Sequence, residues 1–398
     1  MAKSRQLANT SSLGTVSNVI VVPTGTTAQR PSATAGYIRY NTDLNALESA
    51  NGTTWSNVSS NVITSLANTQ ITGNITSSQI ETTAQYRAFK NRIINGAFEF
   101  SQRGTSRTFL GSGSYLADRF TCLGYQQSAH ERVSVSSAAA GMVARYAMRV
   151  TSSSAAEAAS GTRMEIGQKI ENVNCFDLAG KQVTISFWLR CSATSFTASA
   201  GSFGNLNGYL QYNTSTTDSA TSSDVGDGMV VQASIASGSY PTTWTKYTAT
   251  GVCPAGLKNL SFRIQTANLG NTTSSSSAWY EITEIQVEAG STATSFDFRD
   301  YGTELIMCQR YYEVIPIVQR YNSGFSPSYA FDYVPFIITK RVAPTMTHVS
   351  LTYYTGGNAG SFTPTISITN VNGFSVGSNA FTNYNGLLGG TSYANAEL

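Results

Sequence analysis

A chain of 398 residues can hold more than one core, yet only 12% of it is Asp, Glu, Lys or Arg, against roughly a quarter in ordinary soluble domains. The formal net charge is +3, and no Lys/Arg cluster with interleaved aromatics points to nucleic acid. The longest apolar run, residues 19–22, is far too short to span a bilayer, so membrane insertion is not expected.

From the N terminus, residues 1–22 read as a polar arm ending in Val19, Ile20, Val21 and Val22, an edge-strand-like tetrad without an obvious partner in its own chain. The arm begins with positive charge, but no apolar core follows, so a secretory signal is not expected. Residues 23–60 form a small β module. Pro31, Gly36 and Asn51-Gly52 punctuate two short strands, at 36–41 and 53–58. Tyr37, Tyr40, Leu47 and Trp55 could give it only a tiny core, and a unit this small needs help from neighbours.

Residues 61–91 change character. Within "NTQITGNITSSQIETTAQ" the large apolar residues are Ile71, Ile75 and Ile80, and 66–74 align loosely with 75–83. The β-branched, Ser/Asn-rich composition disfavours helix. Self-similar segments with isolated aliphatics suit units that bury an apolar side only by stacking with others. An extended, intertwined stalk with these isoleucines on a shared axis is expected; a disordered linker is the plainer alternative.

Residues 92–299 read as strands. In "VTISFWLRCSA", Val183, Ile185, Phe187 and Leu189 alternate with Thr184, Ser186, Trp188 and Arg190, and "WTKYTATGV", "LSFRIQTA" and "AWYEITEIQVEAG" share the two-residue period. Strands joined by Gly/Ser/Asn turns, without intervening helices, indicate an antiparallel jelly-roll sandwich. Residues 300–398 open with "YGTELIMCQRYYEV", where Leu305, Ile306, Cys308, Gln309 and Tyr312 predict a short helix starting near Gly302 with Glu304 in its first turn. Strand patterns then return as a second, smaller C-terminal β unit. The fold class expected is therefore mainly β.

Several segments together resemble one family. "GTTAQRPSATAGYIRYNTDLNALESANGTTWSNV" resembles a short module found in tailed-bacteriophage tail-fibre and virion proteins. "NRIINGAFEFSQRGTS", "EIGQKIENVNCFDLAGKQVTISFWLR" and "ITEIQVEAGSTATSFDFRDYGTELIMCQRYYEV" resemble, in order, the opening, middle and end of a sandwich module in the same proteins. The resemblance runs from about residue 23 to 345. It implies a structural homotrimer in the virion tail, made in the host cytoplasm. The N terminus would attach to other tail or baseplate proteins, and the far end would meet a host glycan or lipopolysaccharide. The sandwich itself resembles a carbohydrate-binding jelly roll.

The chemistry-bearing residues are few. Two histidines, His130 and His348, stand near no arrangement that singles out a nucleophile. A glycan hydrolase, as in tailspikes, needs two carboxylates at a controlled separation; the densest acidic groups are Asp224 with Asp227, and Asp297, Asp300 and Glu304. A Gly turn and a helix start explain these more simply, so no enzyme is expected. A bacterial surface adhesin is a third class, disfavoured by the same N-terminal reading. "NGAFE", residues 95–99, resembles a first jelly-roll strand in which Glu99, with Glu284 on the last strand, would help hold a structural calcium; two acids are too few for a full shell, and pairing with a nearby Arg is the plainer reading. For glycan contact the candidates are Tyr353 and Tyr354 with Asn358, and Tyr384 with Asn383 and Asn385. The five scattered cysteines fit neither a disulfide framework nor a metal site, and reduced buried thiols are expected; no other cofactor is implied.

Overall fold

The computed structural model describes residues 22–58, 89–152, 164–194, 197–198, 201–202, 205–214, 227–266, 278–322, 330–355, 358–361, 365–378 and 385–397. Two compact units divide the chain, Met1–Thr83 and Ala84–Leu398. Among the described residues no helix is long and apolar enough to cross a membrane.

The first unit contains one sheet in the order β1 (Thr24–Gly25), β2 (Ile38–Asn41), β3 (Ala46–Ala50) and β4 (Trp55–Asn57), with β1 parallel to β2. The turn read from Asn51-Gly52 is present. Asn51 Oδ1 accepts the Thr53 and Thr54 amides at 3.0 and 2.8 Å, and Gly52 takes a φ of 104° that a side chain would resist. Strand β3 was not foreseen. Its buried positions are Ala46, Glu48 and Ala50, and a carboxylate in the middle hides the period of two. Burial is tolerated because Arg30 pairs with Glu48 and Asn41 Nδ2 donates to it at 3.0 Å, which holds its carboxyl below the usual value.

The second unit begins with the expected sandwich. Its strands are β5 (Ser106–Tyr115), β6 (Thr121–Ser134), β7 (Tyr146–Ser152), β8 (Met164–Ile170) and β9 (Gln182–Cys191), a two-residue ladder of β10 (Thr197–Ala198) and β11 (Gly201–Ser202), then β12 (Leu206–Asn213), β13 (Gly228–Ile235), β14 (Thr245–Val252), β15 (Asn259–Thr266) and β16 (Trp279–Ala289). A single helical turn, α1 (Asn172–Cys175), follows β8. Hydrogen bonding runs β13-β12-β15-β8-β6-β7-β16-β9-β14. Strand β6 turns the corner: residues 121–124 pair with β8, and residues 128–134 pair with β7. The path therefore folds into two facing layers, and the inward sets of both, including Ile166, Phe187, Phe262 and Ile282, form one buried core. The alternation in β9 is as read, with Val183, Ile185, Phe187 and Leu189 wholly buried. All five cysteines are free and buried, and burial pushes the Cys175 and Cys253 thiols up to about 12.

Residues 95–99 are a turn, not the first strand expected there. Asn95 and Phe98 take φ of 61° and 55°, and Asn95 Nδ2 donates to Phe100 O and Asp118 O at 2.8 and 3.0 Å. Gly96 is pressed against the β16 bulge; an added Cβ would lie 2.3 Å from Ile285 O, a backbone atom that cannot step aside. Gly96→Ala should therefore cost about 1–3 kcal/mol, read as a lower thermal midpoint; an unchanged midpoint would show that the turn relaxes freely.

Helix α2 (Tyr301–Gln309) lies one residue from its expected start, and Asp300 caps it by accepting the Thr303 amide at 3.0 Å. It buries Glu304, Cys308 and Gln309, while Ile306, expected on the apolar face, is 47% exposed. Arg299 decides this, because its ion pair at 3.1 Å draws Glu304 inward. The C-terminal unit packs a sheet of β17 (Tyr312–Asn322), β23 (Asn385–Asn395), β19 (Thr345–Thr355) and β20 (Asn358–Ser361) with one of β18 (Ala330–Pro335), β22 (Gly373–Ser378) and β21 (Thr365–Thr369). Ile315, Ile317, Phe336, Phe374 and Val376 lie in its core.

Candidate functional site

The outer face of the β13-β12-β15-β8 layer is the candidate site. Its inner positions, among them Leu206, Leu210, Leu260, Phe262 and Ile264, belong to the core, so alternation sends the intervening residues outward. Register then builds rows across four strands. Tyr209 stands opposite Gln232 and Arg263, and Arg263 opposite Gly167. Asn207 stands opposite Ser234 and Gln265, and Gln265 opposite Glu165.

The centre of this face is desolvated and fixed. Arg263 Nη1 pairs with Glu165 Oε1 at 3.1 Å, with side chains 8% and 2% exposed, and Tyr209 beside them is 8% exposed. Gly167 allows that arrangement, since a Cβ there would meet Phe262 O at 2.9 Å and Arg263 Cγ at 3.1 Å. The margin is open and polar. Gln232 Nε2 donates to Asn207 Oδ1 at 2.8 Å, and Asn205 Nδ2 to Ser234 Oγ at 2.9 Å. Gln232 and Ser234 are exposed, and Asn207, Gln211 and Gln265 are half-buried. The amide and hydroxyl side chains of this margin, held over a buried layer of Tyr209, Arg263 and Glu165, can hydrogen-bond a polyhydroxylated ligand.

On the opposite outer face, one cluster of described residues is paired internally. Glu281 is fully buried between Arg149 and Arg190. Arg149 lies over Trp279 at 4.7 Å and Arg190 over Trp244 at 4.9 Å. Trp244 Nε1 and Arg190 Nη1 both donate to Ser136 O, at 3.1 and 3.2 Å. The polar groups of this cluster hold one another.

The expected contact residues fall elsewhere. Tyr353 and Tyr354 lie on β19 opposite Gly360 and Ala359, and Asn358 begins β20 across from Thr355. Tyr354 also pairs with Leu387 on β23, which starts at Asn385, so the backbone brings these positions to one end of the sheet. Asn383 and Tyr384 lie outside the described residues, as do Ile71, Ile75, Ile80, Val19, Ile20 and Val21. Val22 is described and half-buried, directly before Pro23.

The carboxylates considered for metal or catalysis have structural partners. Glu99 pairs with Arg145 at 2.6 Å, and Glu284 accepts the Val143 and Ala144 amides at 2.5 and 2.8 Å. The calcium expectation does not fit this geometry, because three consecutive residues already aim N–H donors at both carboxylates. Among the described residues no group of three or more His, Cys, Asp or Glu could hold a metal ion. Asp297 accepts the Asn91 amide at 3.1 Å, Asp227 the Thr214 amide at 2.6 Å, and the Thr303 hydroxyl holds the Asp300 carboxyl below its usual value. Asp224 lies outside the described residues. His130 is buried in β6, and His348 Nδ1 is 2.6 Å from Ser392 Oγ.

No protein-family model matches the chain, and no curated protein matches it. Among solved structures, an arabinose-bound GH51 α-L-arabinofuranosidase is similar at 12% identity and a TM-score of 0.31, covering 51% of this chain and 27% of that one. The enzymatically active domain of bacteriophage CBA120 tailspike protein 4 gives 11% and 0.31, over 51% and 22%. The module TmCBM61, in complex with β-1,4-galactotriose, gives 13% and 0.29, over 50% and 99%. The chain thus spans about a quarter of the first two and nearly all of the third, and at these scores the likeness carries no argument about function.

Proposed function

We propose that the chain is a subunit of a homotrimeric bacteriophage tail fibre that attaches to the tail by its N-terminal residues and binds a host cell-surface glycan without cleaving it. The observation that carries the glycan reading is the outer face of β13-β12-β15-β8, where Tyr209, Arg263 and Glu165 are fixed at the centre of an amide-rich margin. The fibre reading is supported by the tail-fibre-like segments from about residue 23 to 345, and by the isoleucine spacing at 71, 75 and 80. Binding without cleavage is supported by the acids themselves: Asp227, Asp297, Asp300 and Glu304 are each engaged by a backbone amide or an arginine.

The test is calorimetric titration of the purified chain with polysaccharides from candidate hosts. Gln232 is exposed, so Gln232→Ala should leave the thermal midpoint unchanged while weakening binding roughly 3–10-fold, as expected for one lost hydrogen bond. No binding to any surface polysaccharide would end the glycan reading. Steady release of shortened chains would replace the non-enzymatic reading with a tailspike-like one. A monomeric mass in solution would remove the fibre.

A further inference from the structure

The first unit holds a cavity of about 440 Å³ that neither the glycan nor the fibre reading uses. Pro23, Pro31, Tyr37, Ile38 and Trp55 give it an apolar lining, and Arg39 forms part of its wall. The backbone holds these walls in place. Trp55 Nε1 donates to Pro31 O at 2.9 Å, the Tyr40 amide to Pro23 O at 2.8 Å, and the Ala50 amide to Tyr37 O at 2.9 Å. Tyr37 and Ile38 are 47% and 50% exposed, so the lining can be reached from solvent.

Arg39 sets the chemistry of the cavity. It is 5% exposed, its Nη2 donates to Thr26 O at 3.0 Å, and its Nη1 is buried without a hydrogen-bond partner. Among the described residues no carboxylate pairs with it. Glu48 is close enough to feel its charge, but that carboxylate is held by Arg30 and, at 3.0 Å, by Asn41. A guanidinium N–H taken out of water and given no acceptor is costly, and a ligand that brings the acceptor offsets that cost. A carboxylate does so through a charge-assisted bond, whereas a phosphate needs more open donors than this single nitrogen. The lining selects the rest of the ligand: it is apolar, and Tyr37 and Trp55 suit a ring. The geometry points to a binding site for a small aromatic carboxylate, its ring on the apolar lining and its carboxylate accepting from Arg39 Nη1. The volume lies within the range of roughly 300–1,000 Å³ usual for small-ligand pockets. An extended peptide fits less well, because the edge strand here, β1, has only two residues and follows Pro23, which has no N–H to pair. The site lies within the first unit, so it stands independently of the glycan face and of the fibre.

Saturation-transfer NMR on the full chain tests it. The probes are hydrocinnamate, its neutral amide, and a short peptide ending in Phe with a free carboxylate. Hydrocinnamate should bind at roughly millimolar strength, the scale that about eleven heavy atoms permit. The amide keeps the ring and lacks the charge, so it should bind about tenfold more weakly. Arg39→Gln should weaken the acid by about tenfold or more. That variant also loses the bond to Thr26 O, so Tyr37→Ala, at an exposed position, is the second. It should weaken the acid roughly 3–10-fold and leave the thermal midpoint unchanged. Equal binding of acid and amide would reduce the cavity to an apolar surface and overturn the site. An acid that does not bind, or that binds both variants as it binds the wild type, would overturn it too. A peptide held about tenfold more tightly than the acid would replace the small molecule with a partner's chain end. Gln232→Ala should bind hydrocinnamate like the wild type; a loss there would put the acid on the β13-β12-β15-β8 face and overturn the cavity.

Discussion

Arg119→Met is expected to destabilise the second unit by about 3–5 kcal/mol, the usual cost of removing one partner from a buried ion pair. Arg119 and Glu397 pair with side chains only 2% and 3% exposed. The same guanidinium donates to Lys169 O at 2.8 Å and stacks 3.4 Å from the Tyr311 ring centroid. It thereby ties the turn before β6, strand β8, the residue before β17 and the end of the chain to one another. Met would leave the buried Glu397 carboxylate to Arg103, whose nearer nitrogen is 3.4 Å away, and to the backbone amide of residue 119, also at 3.4 Å. The double change Arg119→Met with Glu397→Met should recover most of the loss, because it removes the orphaned charge as well as the pair. Urea unfolding gives the free energies, and limited proteolysis reports release of residues 312–397. A single variant within about 1 kcal/mol of the wild type, or a double variant no better than the single, would mean that Glu397 finds water when its partner is gone.

Where the inner face of a strand is large and aliphatic, the sequence shows it. Strands β9, β15 and β16 were legible because their inward positions are Val, Ile, Leu or Phe almost without exception. Strand β12 was not, because Gly208 occupies an inward position. The Phe187 ring fills that space, and a Cβ there would lie 2.6 Å from it. Core volume is conserved across the layers, so one large ring removes a large side chain, and the visible period, from the facing strand. The candidate site was illegible for a different reason. Glu165 and Arg263 are far apart in sequence and come together only through the pairing of β8 with β15, which no local pattern specifies. The tyrosines at 353, 354 and 384 stand near Asn in polar sequence, which marks them as contact candidates, whereas Tyr209 sits in an ordinary strand. Helix α2 was found by its apolar spacing, but its buried face was misjudged, since the ion pair that brings Glu304 inward depends on Arg299 outside the helix.

Between pH 7 and 4.5, Asp118→Asn and His130→Leu should change the pH dependence of stability in opposite directions. Burial pushes the Asp118 carboxyl up to about 6, against the pull of two hydrogen bonds from Gln102, at 2.6 and 3.1 Å, and of Arg103 at 3.7 Å. The folded chain then binds this proton more readily than the unfolded one. Stability is gained as pH falls through about 6 toward 4, by about 2 kcal/mol at pH 4.5. His130 is the reverse case. Burial alone lowers it to about 3, so the folded state keeps it neutral while the unfolded chain takes up a proton below 6.5. Stability is lost as pH falls below about 6.5, by about 3 kcal/mol at pH 4.5. The two contributions nearly offset in the wild type. Asp118→Asn removes the gain and should steepen acid destabilisation by about 2 kcal/mol across the interval; His130→Leu removes the loss and should make the variant relatively more stable in acid by about 3 kcal/mol. Comparing slopes rather than absolute stabilities cancels the packing cost of each substitution and the contributions of every unchanged group. Urea midpoints at pH 7, 6, 5 and 4.5 for the three proteins decide it. Parallel curves would mean that neither group is held in the protonation state its burial demands, and that water reaches both.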